Sequence, residues 1–94
     1  LIRWTERAQN DLVDITGWIA RQDSQAADCI AETILTRIDR LEQFPLLGPK
    51  GRVSDARELV IGRLPYVVIY TLVNRAPIIL RILHGVMQWP IEED

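Results

Sequence analysis

Four cations, one imidazole and one late indole set the chemistry open to this chain. His84 is the only histidine. An imidazole titrates near neutral pH, so His84 could serve as a general acid or base. The reading favoured for a lone histidine is plainer: it ends the last strand and bonds a nearby backbone carbonyl. Arg57 and Arg81 fall inside predicted strands. A strand arginine must face solvent, a carboxylate or a bound phosphate. For Arg57, pairing with Glu58 or Asp55 is the alternative. Lys50 and Arg52 lie in a loop rich in glycine and proline. Trp89 lies beyond the last predicted strand. Tryptophan and arginine often dominate binding energy. Lys50, Arg52, Arg57, Arg81 and Trp89 are therefore expected to form a target-binding surface. Any catalytic set would be Arg57, Arg81 and His84.

Several chemistries are disfavoured. Cys29 is the single cysteine, so no internal disulfide is expected. With only one histidine as well, no structural zinc site and no metal are expected. The sequence has no glycine-rich phosphate loop or paired-carboxylate site, and no cofactor is expected. No apolar run approaches the roughly 20 residues of a membrane span, and no signal-peptide pattern opens the chain. The expectation is one cytoplasmic domain over residues 1–94. Hydrophobic residues make up 48% and charged residues 26%, which suits one modest globular core. The net charge of −2 hides an asymmetry. Residues 1–44 carry an excess of three acids, and residues 45–89 an excess of four cations. A basic half attracts nucleic acid or acidic protein segments.

The elements that must hold these residues follow from period and caps. Leu1 to Trp4 alternate like an edge strand. Thr5 suits a helix N-cap. Ala8, Leu12, Ile15, Trp18 and Ile19 make a helical stripe to about Arg21, with Trp18 expected in the core. Asp23 or Ser24 caps a second helix, whose stripe is Ala27, Ile30, Ile34, Ile38, Leu41 and Phe44. Pro45 should stop it. So short a link folds the helices into an antiparallel hairpin. The period then changes to two, giving strands at 58–61, 66–72 and 78–84 joined as an antiparallel meander. The fold class is α+β: an N-terminal edge strand and a helical hairpin packed on a small antiparallel sheet. The last two strands are apolar on both faces, with Ile79 and Leu83 opposing Ile78, Leu80 and Ile82. A second apolar face needs a partner, unless the 45–55 loop and the tail cover it.

Taken together, these pieces resemble the RelE/ParE toxin superfamily over nearly the whole chain. Trp4-Thr5-Glu6-Arg7-Ala8 is similar to the family's entry to its first helix. Leu41-Glu42-Gln43-Phe44-Pro45 with Gly48 is similar to its helix exit. Ile82-Leu83-His84-Gly85 with Trp89-Pro90 is similar to its common ending. The resemblance implies the toxin of a type II toxin–antitoxin pair, neutralised by a cognate antitoxin in a hetero-oligomeric complex. It also implies one of two targets. RelE-like members cleave messenger RNA on the ribosome, and ParE-like members poison DNA gyrase.

The residues lean toward the second. Cleavage needs a proton acceptor, a proton donor and cations for the phosphorane. Lys50 and Arg52 match a RelE-like basic pair. The expected strand arginine falls at Val67, the later arginine near Met87, and the late aromatic at Trp89, whose indole does not exchange protons as a phenol does. A ParE-like inhibitor that binds rather than cuts is the expectation. The alternatives are an RNA endonuclease and a non-toxic member that only binds antitoxin.

Overall fold

The computed structural model describes residues 1–53 and 55–85. Along the chain run β1 (Arg3–Trp4), α1 (Glu6–Ala20) and α2 (Ser24–Asp39). A 3-10 turn (Arg40–Glu42), β2 (Arg57–Val60), β3 (Tyr66–Val73) and β4 (Ala76–His84) follow. The four strands form one sheet in the order β1-β4-β3-β2. β2, β3 and β4 are the expected antiparallel meander. β1 is an edge strand, but it pairs in parallel with β4 through Arg3–Ile78 and Trp4–Ile79, so the sheet is mixed.

The caps form as the sequence predicts. The Thr5 hydroxyl accepts from the Ala8 amide at 3.1 Å and lies 3.0 Å from the Ile79 and Leu80 carbonyls. It thus starts α1 and also fixes it to β4. Asp23 caps α2 by accepting from the Ala26 amide. The helical hairpin covers one sheet face, where Ala8, Ile34, Ile38 and Leu41 meet Leu59, Val68, Tyr70, Ile79 and Ile82. Each large aliphatic side chain buried there contributes about 1.5–3 kcal/mol relative to exposure.

Two stripe residues depart from expectation. Trp18 is 61% exposed rather than in the core. At 3.6 residues per turn it lies about 90° from the line through Ala8, Leu12, Ile15 and Ile19. It therefore shares the flank that carries Asp11. Phe44 is 51% exposed. α2 ends at Asp39 and the 3-10 turn over-rotates the chain, so the helical phase is lost before Phe44. The Arg40 guanidinium lies over the outward ring, 5.8 Å from its centroid.

β4 also breaks its expected alternation. The register slips between Ile69 and Tyr70, whose partners are Arg81 and Ile79, leaving Leu80 as the extra residue of a bulge. Ile79 and Ile82 therefore share the helix-covered core, while Leu80 and Leu83 join the opposite face. On that face Val53 and Ala56, from the loop before β2, pack on Ile69 and Leu83. Loop residues thus cover part of the second apolar face.

Candidate functional site

The outer edge of β2 is closed by its own preceding loop. The Glu58 amide donates to Pro49 O at 3.0 Å, and the Gly51 amide to Ala56 O at 2.8 Å. The Glu58 carboxylate accepts from the Arg52 amide at 3.1 Å and lies 3.6 Å from Arg52 Nε. A Cβ on Gly51 would come within 2.6 Å of that carboxylate, so a larger residue here would have to displace the Glu58 side chain. A few residues upstream, the buried Tyr70 hydroxyl donates to Pro45 O and accepts from the Gly48 amide, both at 2.8 Å. Arg57 Nη1 donates to Gly48 O at 2.7 Å. Gly48 has no room for a side chain, since a Cβ would sit 2.8 Å from the Tyr70 ring. Burial pushes the Tyr70 phenol above its ordinary range, against the opposing pull of the Gly48 amide and the Arg57 cation. Tyr70 is thus a protonated clamp at neutral pH, not a base.

This loop walls a cavity of about 520 Å³ whose lining includes Lys50, Val53, Asp55, Arg57, Thr71 and Leu72. Its lining mixes the cations Lys50 and Arg57 with the apolar Val53, Ala56 and Leu72. Asp55 carries one opposing charge there, and the Thr71 hydroxyl donates to the Asp55 carbonyl at 2.6 Å.

A second cavity, of about 330 Å³, opens between the Trp18 flank of α1 and the far ends of β3 and β4. Trp18, Tyr66, Ile82 and His84 line it, with Asp11 and Arg81 at its base. Tyr66 and His84 meet edge to face, with ring centroids 5.6 Å apart. Asp11 accepts from Arg81 Nε at 2.8 Å, Arg81 Nη2 at 3.2 Å and the Ile82 amide at 2.9 Å. Both side chains are about 15% exposed or less. The Asp11 hydrogen bond raises the Arg81 pKa further. β1 pairs only as far as Ile79, so Asp11 caps β4 where no described strand continues the sheet.

The predicted site residues are therefore divided. Lys50 and Arg57 share the first cavity, and Arg81 and His84 the second. Arg52 is exposed beside Glu58, and Trp89 lies outside the described residues. Arg57 pairs with neither Glu58 nor Asp55 but with a carbonyl. Sequence reasoning passed over Asp11 and Tyr70. Nothing local marks Asp11, whose partners lie 70 and 71 residues away. Among the described residues no cluster of three or more His, Cys, Asp or Glu could hold a metal. No helix of the described residues is long and apolar enough to cross a membrane.

The overall fold is shared with a solved structure, and the sequence with a known family. The family model described as ParE toxin of the type II toxin–antitoxin system parDE matches residues 2–89. The chain belongs to the ParE toxin family. This ParE-family chain is 38% identical over 89 residues to “Putative toxin Y4kP” of Sinorhizobium fredii, covering 95% of this chain and 92% of that one. It is 36% identical over 84 residues to Toxin RelE2 of Caulobacter vibrioides, covering 87% and 91% of the two chains. The fold matches a chain from the chromosomal ParDE system of P. aeruginosa with a TM-score of 0.81 at 23% identity, covering 88% and 92% of the chains.

Proposed function

We propose that this ParE-family toxin arrests growth by binding an essential cellular protein, DNA gyrase, and that a cognate antitoxin neutralises it in a hetero-oligomeric complex. The observation that carries this reading is the division of its cations. A phosphorane needs its cations and its proton-transfer group gathered on one reacting centre. Here the Arg81 guanidinium is held by Asp11 and the Arg57 guanidinium by Gly48 O, in different cavities. Lys50, Arg52 and Arg57 then serve target binding, and Arg81 holds α1 on the sheet. The competing reading is ribosome-dependent cleavage of messenger RNA, and its best support is that Arg81 and His84 line one cavity. His84→Gln separates them. On the binding reading the folded variant arrests growth as wild type does and cellular messenger RNA stays intact on induction. A folded variant that no longer arrests growth, paired with a wild type that cuts messenger RNA, would establish the nuclease.

The antitoxin lies in the groove beside the unextended edge of β4, against Trp18 and Tyr66. An exposed tryptophan on a helix beside an open strand edge suits a segment that orders on binding. Trp18→Ala is expected to change unfolding free energy by no more than about 0.5 kcal/mol, as at exposed sites generally. It should weaken antitoxin binding at least about tenfold, the equivalent of 1.4 kcal/mol. Calorimetric titration of the variant with antitoxin checks this, and unchanged affinity would remove the groove from the antitoxin's path.

A further inference from the structure

Three large apolar side chains stand outward on the segment that Tyr70 clamps. Phe44 is 51%, Leu46 62% and Leu47 39% exposed. With Pro45 and Arg75 they line a shallow cavity of about 360 Å³. Val73, 52% exposed, ends β3 just before the turn that carries Arg75. The backbone that carries Leu46 and Leu47 is pinned at both ends. The Tyr70 hydroxyl fixes Pro45 O and the Gly48 amide on either side of Leu46 and Leu47, and Arg57 fixes Gly48 O. A surface already fixed in its binding shape loses little freedom on association.

Arg75 gives the patch its charge, and it is kept there against local preference. Asn74 and Arg75 have φ of 53° and 68°, so both central residues of the β3–β4 turn are left-handed. Such turns favour glycine at the second position, and an arginine there is strained. The strain places a guanidinium beside Phe44, Leu46 and Leu47. Neither Arg75 nor Lys50 is in an ion pair with another described residue. The Lys50 cavity opens beside Thr71 and Leu72, at the same end of β3. This end is thus apolar at its centre, with Arg75 and Lys50 at its margins and Asp55 as one opposing charge beside Lys50.

We propose that this end of the molecule is the docking surface for the cellular target, and that it takes a protein segment with large apolar side chains bordered by carboxylates. The proposal rests on the reading of this chain as a protein-binding toxin. It adds that target and antitoxin use different surfaces, one at each end of the β3–β4 hairpin. Neutralisation then comes from the bulk of the bound antitoxin rather than from competition for the same side chains.

Leu46→Glu, Leu46→Lys and Arg75→Gly test it. Leu46 is exposed enough for either charge to leave the fold intact. Arg75→Gly relieves the left-handed strain, so the melting temperature should rise by about 4 °C or more. Each variant is assayed for growth arrest at matched folded concentration, for inhibition of purified gyrase, and for antitoxin affinity. Leu46→Glu and Arg75→Gly should weaken arrest about tenfold, Leu46→Lys clearly less, and antitoxin affinity should stay within about threefold. Full arrest by Leu46→Glu and Arg75→Gly would overturn the proposal. Equal losses in Leu46→Glu and Leu46→Lys would overturn its acidic partner. Lost antitoxin binding would assign the surface to the antitoxin. A wild-type dimer in sedimentation that Leu46→Glu dissolves would assign it to a second copy. Should wild type arrest growth and leave gyrase untouched, the gyrase reading fails, while the growth assay still judges the surface.

Discussion

Asp11→Ala should lower the unfolding free energy by about 3–5 kcal/mol, the usual consequence of removing one partner from a largely buried ion pair. The carboxylate serves two purposes. It accepts both donors of Arg81, and it accepts the Ile82 amide at 2.9 Å on the edge that β1 does not reach. Its removal leaves a cation about 15% exposed and one strand amide without their partner. Against a typical total of roughly 5–15 kcal/mol, much of the domain's stability is at stake. The loss should be strongly non-additive. Asp11→Leu combined with Arg81→Met removes both charges and should recover most of it, because a well-packed apolar pair often equals or betters a buried salt bridge. Urea denaturation of the two single variants and the double variant gives the coupling. If the double variant lost as much as the two singles summed, the pair would not be the joint between α1 and β4.

Tyr70→Phe is the second large effect, with an expected loss of about 2–4 kcal/mol. The ring would still fill its space. The Gly48 amide and the Pro45 carbonyl, however, would lose their common partner, at about 1–3 kcal/mol for each buried group left unmet. The hydroxyl also sets a pH dependence. Burial raises the folded-state pKa of this phenol, and an unfolded tyrosine ionises near 10. Above about pH 10 the unfolded chain gives up this proton first. The stability contributed by Tyr70 is therefore full below that pH, and it declines as pH rises through the folded value. Denaturation midpoints on either side of pH 10 should fall for wild type and change less for Tyr70→Phe. Parallel declines would show that the phenol does not hold the loop.

Both residues mark where sequence reading reaches its limit. Periodicity and caps gave the helical hairpin, because Thr5, Asp23 and the Ala27–Ile30–Ile34–Ile38–Leu41 stripe are local signals. The meander was legible for the same reason, through the change to period two and its short turns. The parallel β1–β4 pairing was not, since nothing in a two-residue strand states its direction. The bulge at Leu80 exchanged the expected faces of Ile82 and Leu83, because strict alternation holds only while the register does. Trp18 and Phe44 read as core because stripe membership ignores angular offset and the switch from α to 3-10. The site was hardest. Lys50 and Arg57 share a cavity through the 48–58 loop, and Arg81 turns to Asp11, and both facts depend on contacts between distant residues.

Inhibition of purified gyrase is the decisive measurement for this toxin. The toxin is added to gyrase, ATP and relaxed plasmid, with and without the cognate antitoxin, and supercoiling is followed on gels. A gyrase-binding toxin gives a dose-dependent loss of supercoiling that stoichiometric antitoxin reverses. Undiminished supercoiling, together with cleavage of messenger RNA when the same toxin meets translating ribosomes, would contradict gyrase as the target.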